Sequence, residues 1–155
     1  MPQEDKELLL KDICARIPYG VICHANEINI DGELIFVNKL YNIAALYYDN
    51  AIGKFESCPI DDIKPYLRSI SSMTEDEKEE LLNLLFDKEA KYFYIDEEGF
   101  IDGKTSDLMK EGFNYPSFCP INIELYTDFL LSHHFDYRGL IEKKLAIEAP
   151  DGMYK

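Results

Sequence analysis

Leu9, Ile13 and Ile17 recur at intervals of four, with Leu10 and Cys14 beside them, and Pro18 and Gly20 follow at once. That period predicts an amphipathic helix over 4–16, stopped where a proline and a glycine forbid its continuation. From 19 to 63 the texture changes to short apolar runs, "GVICHA", "INI", "ELIFV", "NIAALYY", "AIGKFES" and "PIDDI". Asp31-Gly32 between "INI" and "ELIF" reads as a two-residue hairpin turn, because a type I′ turn needs positive φ at both central positions. Asp49-Asn50 reads as the next turn. Five short strands in this span predict a small, bent sheet or an SH3-like barrel, whose closure removes exposed edges.

The period then switches. Thr74 followed by Glu77 forms a capping box, Glu75 and Asp76 suit the positive end of the helix dipole, and Leu81, Leu82, Leu85 and Phe86 share a face, so a helix is predicted over 75–87. "KYFYIDEEGFIDG" predicts a second hairpin, and 103–120, with two Gly and two Pro, a long ordered loop. Ile121, Ile123 and Leu125 alternate as in a strand, while Tyr126, Phe129, Leu130 and His133 keep helical spacing. A helix over about 123–134 is the reading taken. Helices at the ends and middle with strands grouped between them predict an α+β fold.

Length and composition narrow this to one domain spanning 1–155: a chain of this size buries roughly two thirds of its unfolded surface. Apolar residues make up 46% and Phe plus Tyr number 20, so the chain folds without disulfide or metal staples. Thirty acids against 16 bases give a net charge of −14, which repels a polyanion, and no basic run exceeds Lys143-Lys144. Direct nucleic-acid binding is therefore not expected. The acidity instead admits an inhibitor that imitates DNA: 75–89 hold seven acids against two lysines and 96–107 five against one, so helix and hairpin side by side would form a negative ridge. Cys14, Cys23, Cys58 and Cys119 lack paired zinc spacing and read as buried thiols. With no apolar run near the length of a bilayer span and no secretory leader at the N-terminus, a cytoplasmic protein is expected, without membrane contact.

Candidate chemistry concentrates in "HHFDYRGLIEKKLA", 133–146. Adjacent histidines on a helix point about 100° apart and do not share a metal, so His133 reads as a partly buried core residue and His134 as a cation at the helix C-terminus. Asp136 is placed to cap a new short helix, whose apolar side is Leu140, Ile141 and Leu145, and Arg138, flanked by Tyr137, to pair with a carboxylate. "KPYLR", 64–68, sets Tyr66 and two cations on an extended segment. Tyr66, Arg68, Asp136, Tyr137 and Arg138 are thus the candidate interaction residues. No phosphate-binding loop or nucleophile elbow appears, and no cofactor or catalytic residue is assigned. The favoured reading is a non-enzymatic module binding an unknown protein partner. The rivals are the DNA-mimic inhibitor and a small metal-dependent enzyme that gathers Cys23, His24, His133 or His134 through the fold.

"LLLKDICARIPYG", "IKPYLRSISSMTEDE" and "HHFDYRGLIEKKLAIEAPDGMYK" resemble an uncharacterised family of small proteins of prophages and other mobile elements of gut bacteria. The likeness covers about a third of the chain. It implies a mobile-element protein working inside a bacterial cytoplasm and carries over no activity. One departure stands out: similar proteins place glycine where this chain has Lys144, so a positive φ there would strain the turn.

Overall fold

Helix α1 spans Gln3–Arg16, with Glu4 and Asp5 in its first turn and Arg16 in its last, each charge at the dipole end that favours it. Its buried stripe is Leu9, Asp12, Ile13 and Arg16, so the inward face carries a charged pair, while Cys14 lies off the stripe and is exposed. The expectation of a buried thiol is corrected at that position, and holds at Cys23 and Cys58. The computed structural model describes residues 1–48, 53–104 and 122–154. The turn expected at Asp49-Asn50, most of the loop expected over 103–120, and Cys119 lie outside them.

The chain divides into two compact units, Met1–Arg68 with Leu131–Lys155, and Ser69–Leu130. In the first, β1 (Ile22–Ala25), β2 (Ile30–Asn38), β3 (Ile43–Tyr48), β4 (Lys54–Pro59) and β5 (Ile63–Leu67) join the two-residue β8 (Ile147–Glu148) in a sheet ordered β4-β3-β2-β1-β5-β8. All neighbours are antiparallel except β5 and β8. The fold is α+β. The sheet is open, not a closed barrel: β8 occupies the free side of β5, and β4 stands three strands from β1. Cys23, Ala25, Leu34, Ala44, Leu46, Cys58, Ile63 and Leu67 line one face, and Leu9 and Ile13 of α1 with Leu140, Leu145 and Ala146 complete a core around them.

Asp31-Gly32 is not a turn. Both residues lie within β2, opposite His24 and Cys23, and the chain reverses at 26–29, where Asn29 takes a φ of 52°. The glycine serves a different need: a Cβ at Gly32 would stand 2.8 Å from the Tyr47 carbonyl oxygen of β3. Glycine here permits close approach between strands.

The second unit holds α2 (Glu75–Phe86), the antiparallel hairpin β6 (Phe93–Ile95) and β7 (Ile101–Gly103), and most of α3 (Ile123–Ser132). The capping box forms as its sequence predicts: Glu77 N–H donates to Thr74 Oγ1 at 3.2 Å, and Thr74 N–H to the Glu77 carboxylate at 2.8 Å. Phe86 stacks on Phe93 with ring centres 3.9 Å apart, and the Tyr126 hydroxyl donates to the Gly99 carbonyl at the hairpin tip.

After α3 the chain makes turns where a short helix was expected, held by the Asp136 carboxylate, which accepts from Leu140 N–H at 2.9 Å and Ile141 N–H at 2.8 Å. Lys144 adopts a φ of 60° with its side chain exposed. A Cβ is disfavoured in that conformation by roughly 1–2 kcal/mol, while glycine forfeits about 0.5–1 kcal/mol of chain entropy. Lys144→Gly should therefore stabilise the protein by about 0.5–1 kcal/mol net. A urea midpoint that stays put or falls, at unchanged slope, would show that the turn is not strained by its lysine.

Candidate interaction surface

The second face of the six-stranded sheet is set by the same registers. Phe36 opposes Ala45, Asn38 opposes Ile43 and Tyr47 opposes Phe55 across β2, β3 and β4, and the rings of Tyr47 and Phe55 lie 5.2 Å apart. A bulge in β2 between Leu34 and Phe36 bends the strand beside them. Phe36 is 50% exposed and Phe55 63%, and Leu40 (83%) and Tyr41 continue the apolar surface onto the β2–β3 turn. That turn is braced by the Asn38 side chain, which accepts from Leu40 N–H and Tyr41 N–H. Large side chains held outward on rigid strands form a contiguous apolar patch of the kind that marks interaction sites.

The β1–β5 half of the face is polar. Asp31 Oδ1 lies 2.7 Å from His24 Nδ1 and accepts from the Tyr66 hydroxyl at 3.1 Å, a row crossing β2, β1 and β5. Partial burial, reinforced by the bond to Asp31, pushes the Tyr66 phenol up, so it stays protonated and donates. Lys64 stands opposite His24 on β5. Cys23, by contrast, points into the core, where burial pushes its thiol far up and makes it a poor nucleophile.

The remaining candidates meet at a buried ionic junction. Arg16 Nε donates to Asp12 Oδ2 at 2.7 Å, Arg16 Nη2 reaches Asp12 Oδ1 at 3.2 Å and the Phe135 carbonyl at 2.8 Å, and both side chains are fully buried. Arg138 adds a bond to Asp12 Oδ1 at 3.3 Å and lies over the Tyr137 ring, so the carboxylate expected for it proves to be Asp12. Arg68 covers the Phe135 ring at 4.4 Å, and its backbone bridges His134 and Asp136. Arg68, Asp136, Tyr137 and Arg138 are thus brought together at the junction, whereas Tyr66 belongs to the polar row of the open face.

His133 is partly buried as expected, and His134 departs from the role expected of it. α3 ends at Ser132, and His134 takes a φ of 60°, which turns its ring inward to stack on Tyr154 at 3.7 Å, while His133 is half-buried. Burial first, and then Arg16, His133 and Arg68, lower the His134 pKa to about 4 against an opposing hydrogen bond to the Tyr19 backbone. His134 is neutral at pH 7, not a helix-terminal cation. The Tyr154 hydroxyl accepts from Ile22 N–H at 3.0 Å and donates to the Tyr66 carbonyl at 2.9 Å, tying β1 to β5.

Among the described residues no three His, Cys, Asp or Glu side chains gather as a metal site requires. In the second unit α2 and the hairpin flank a cleft of about 370 Å³, and its walls mix Glu75, Asp76 and Glu79 with Lys78, Lys91 and Lys104. The lysines interrupt the acidic run there, and Lys78 bonds Glu75 at 2.8 Å.

Sequence reasoning missed Asp12, Arg16 and the aromatic half of the sheet. A signal existed for the first: Asp12 and Arg16 are four apart and interleave with Leu9 and Ile13, so they fall on the apolar stripe. The outward aromatics carry no comparable signal, because alternation does not say which face of a strand is covered. Comparison with protein families, curated proteins and solved structures finds no match to this chain.

Proposed function

We propose that the protein is a non-enzymatic interaction module that binds another protein on the open face of its sheet, consistent with a mobile-element origin. The observation that carries this is the outward placement of Phe36, Leu40, Tyr41, Ile43 and Phe55 on rigid strands and a braced turn, in a chain that fills its core with other residues. Aromatic anchors of this kind dominate the energetics of protein interfaces. Asp31 and Glu33 lie on β2 beside the apolar half, and the chain carries −14 overall, so the partner surface it suits has an apolar centre and a basic rim.

The test is capture of host-lysate proteins by the native chain and by Phe36→Asp and Leu40→Asp, with parallel screening for hydrolase and transferase turnover. A partner retained by the native chain and lost by both variants is the expected result. Turnover abolished by His24→Gln would replace this reading with an enzymatic one built on the His24–Asp31 pair. Capture that both substitutions leave intact would move the binding site off this face.

A further inference from the structure

We propose that two copies of the chain join along β4, edge to edge and antiparallel about a two-fold axis through Phe55. Among the described residues β4 is a terminal strand of the sheet, and Lys54, Phe55, Glu56 and Ser57 are all exposed. An uncovered strand edge is a template for pairing with another chain. A lone lysine on an edge normally discourages such pairing, but here Glu56 lies two positions away on the same face and supplies the opposite charge.

Register selects the partner. In a symmetric antiparallel pair the strand meets itself, and for each face to continue across the join the axis must pass through a residue pair. Centred on Lys54, the pairing opposes two lysines, and centred on Glu56 it opposes two glutamates. Centred on Phe55, it places Lys54 of each copy opposite Glu56 of the other and Phe55 opposite Phe55. Opposite charges and aromatic pairs directly across strands stabilise a sheet, and like charges destabilise it. Phe55 shares its face with Tyr47 and Phe36, so the same register runs the two apolar patches into one. The product is a continuous sheet with six strands from each copy. This pairing does not depend on what the open face binds.

Sedimentation of the full-length protein at about 0.15 M salt, where distant net charge is largely screened, tests the proposal. The native chain is expected to sediment as a dimer. Lys54→Glu and Glu56→Lys should each weaken self-association about tenfold or more, since each turns two attractive pairs into two repulsive ones. The two single variants mixed should form a heterodimer, and Lys54→Glu/Glu56→Lys should recover the homodimer. Recovery in the mixture and in the double variant also shows that the substituted chains fold. A native chain that is monomeric across the micromolar range overturns the proposal, and so does a dimer indifferent to both charge reversals.

Discussion

Asp12→Ala is expected to destabilise the protein by about 3–5 kcal/mol, the usual result of removing one partner from a buried ion pair. The substitution leaves the Arg16 guanidinium fully buried with no counter-charge, and takes from Arg138 the carboxylate it bonds. Arg16 Nη1 already has no hydrogen-bond partner, so the remaining bond to the Phe135 carbonyl cannot compensate. Much of the loss is the cost of an isolated charge, not the value of the pair. Arg16→Met added to Asp12→Ala should therefore recover more than half of it, even though the Phe135 carbonyl then loses its donor. Urea denaturation of the two variants checks this. A single-variant loss under about 1 kcal/mol, or a double variant at least as unstable as the sum of both singles, would mean that the junction is accessible to water.

Acidification should weaken the protein through His134. Its folded pKa of about 4 lies below the ordinary 6.5, so the unfolded chain takes up the proton first. The stability tied to the neutral ring is complete above pH 6.5, declines as pH falls toward 4, and changes no further below it, with a slope of about 1.4 kcal/mol per pH unit inside that window. The geometry supplies the cause: Nδ1 is buried without an acceptor, and the surrounding charges named above are cations. Asn tolerates the left-handed backbone at this position, so His134→Asn isolates the effect. Losing the stack on Tyr154 offsets the variant equally at every pH, and only the slopes matter. Native and variant curves running parallel from pH 7 to 4 would show that the ring reaches water when charged.

Features written into neighbouring residues were legible. Thr74 and Glu77 sit three apart and need only one turn of helix to meet, and Asp136 reaches the backbone four and five residues on. Features decided across strands were not. Gly32 resembles a turn glycine, yet the reason for it is the Tyr47 carbonyl, which nothing near position 32 announces. His134 shows the same limit: its left-handed backbone after α3 turns the ring inward, whereas helical spacing carried past Ser132 places it as a cation in a last helical turn.

The interrupted course of the first unit bears on how the protein is made. The Arg16 guanidinium finds the Phe135 carbonyl 119 residues later, Arg138 reaches back 126 to Asp12, and Tyr154 reaches back 132 to Ile22. A ribosome delivers α1 and β1 to β5 first, then the roughly 60 residues of the second unit, and only afterwards Leu140, Leu145 and Ala146, which close the core. At ordinary elongation rates that interval is ~3–12 s. For those seconds the nascent sheet has neither its buried counterpart from the C-terminal segment nor its parallel strand, and Asp12 and Arg16 have only each other. The last step in folding this unit thus waits on a segment made seconds after its strands.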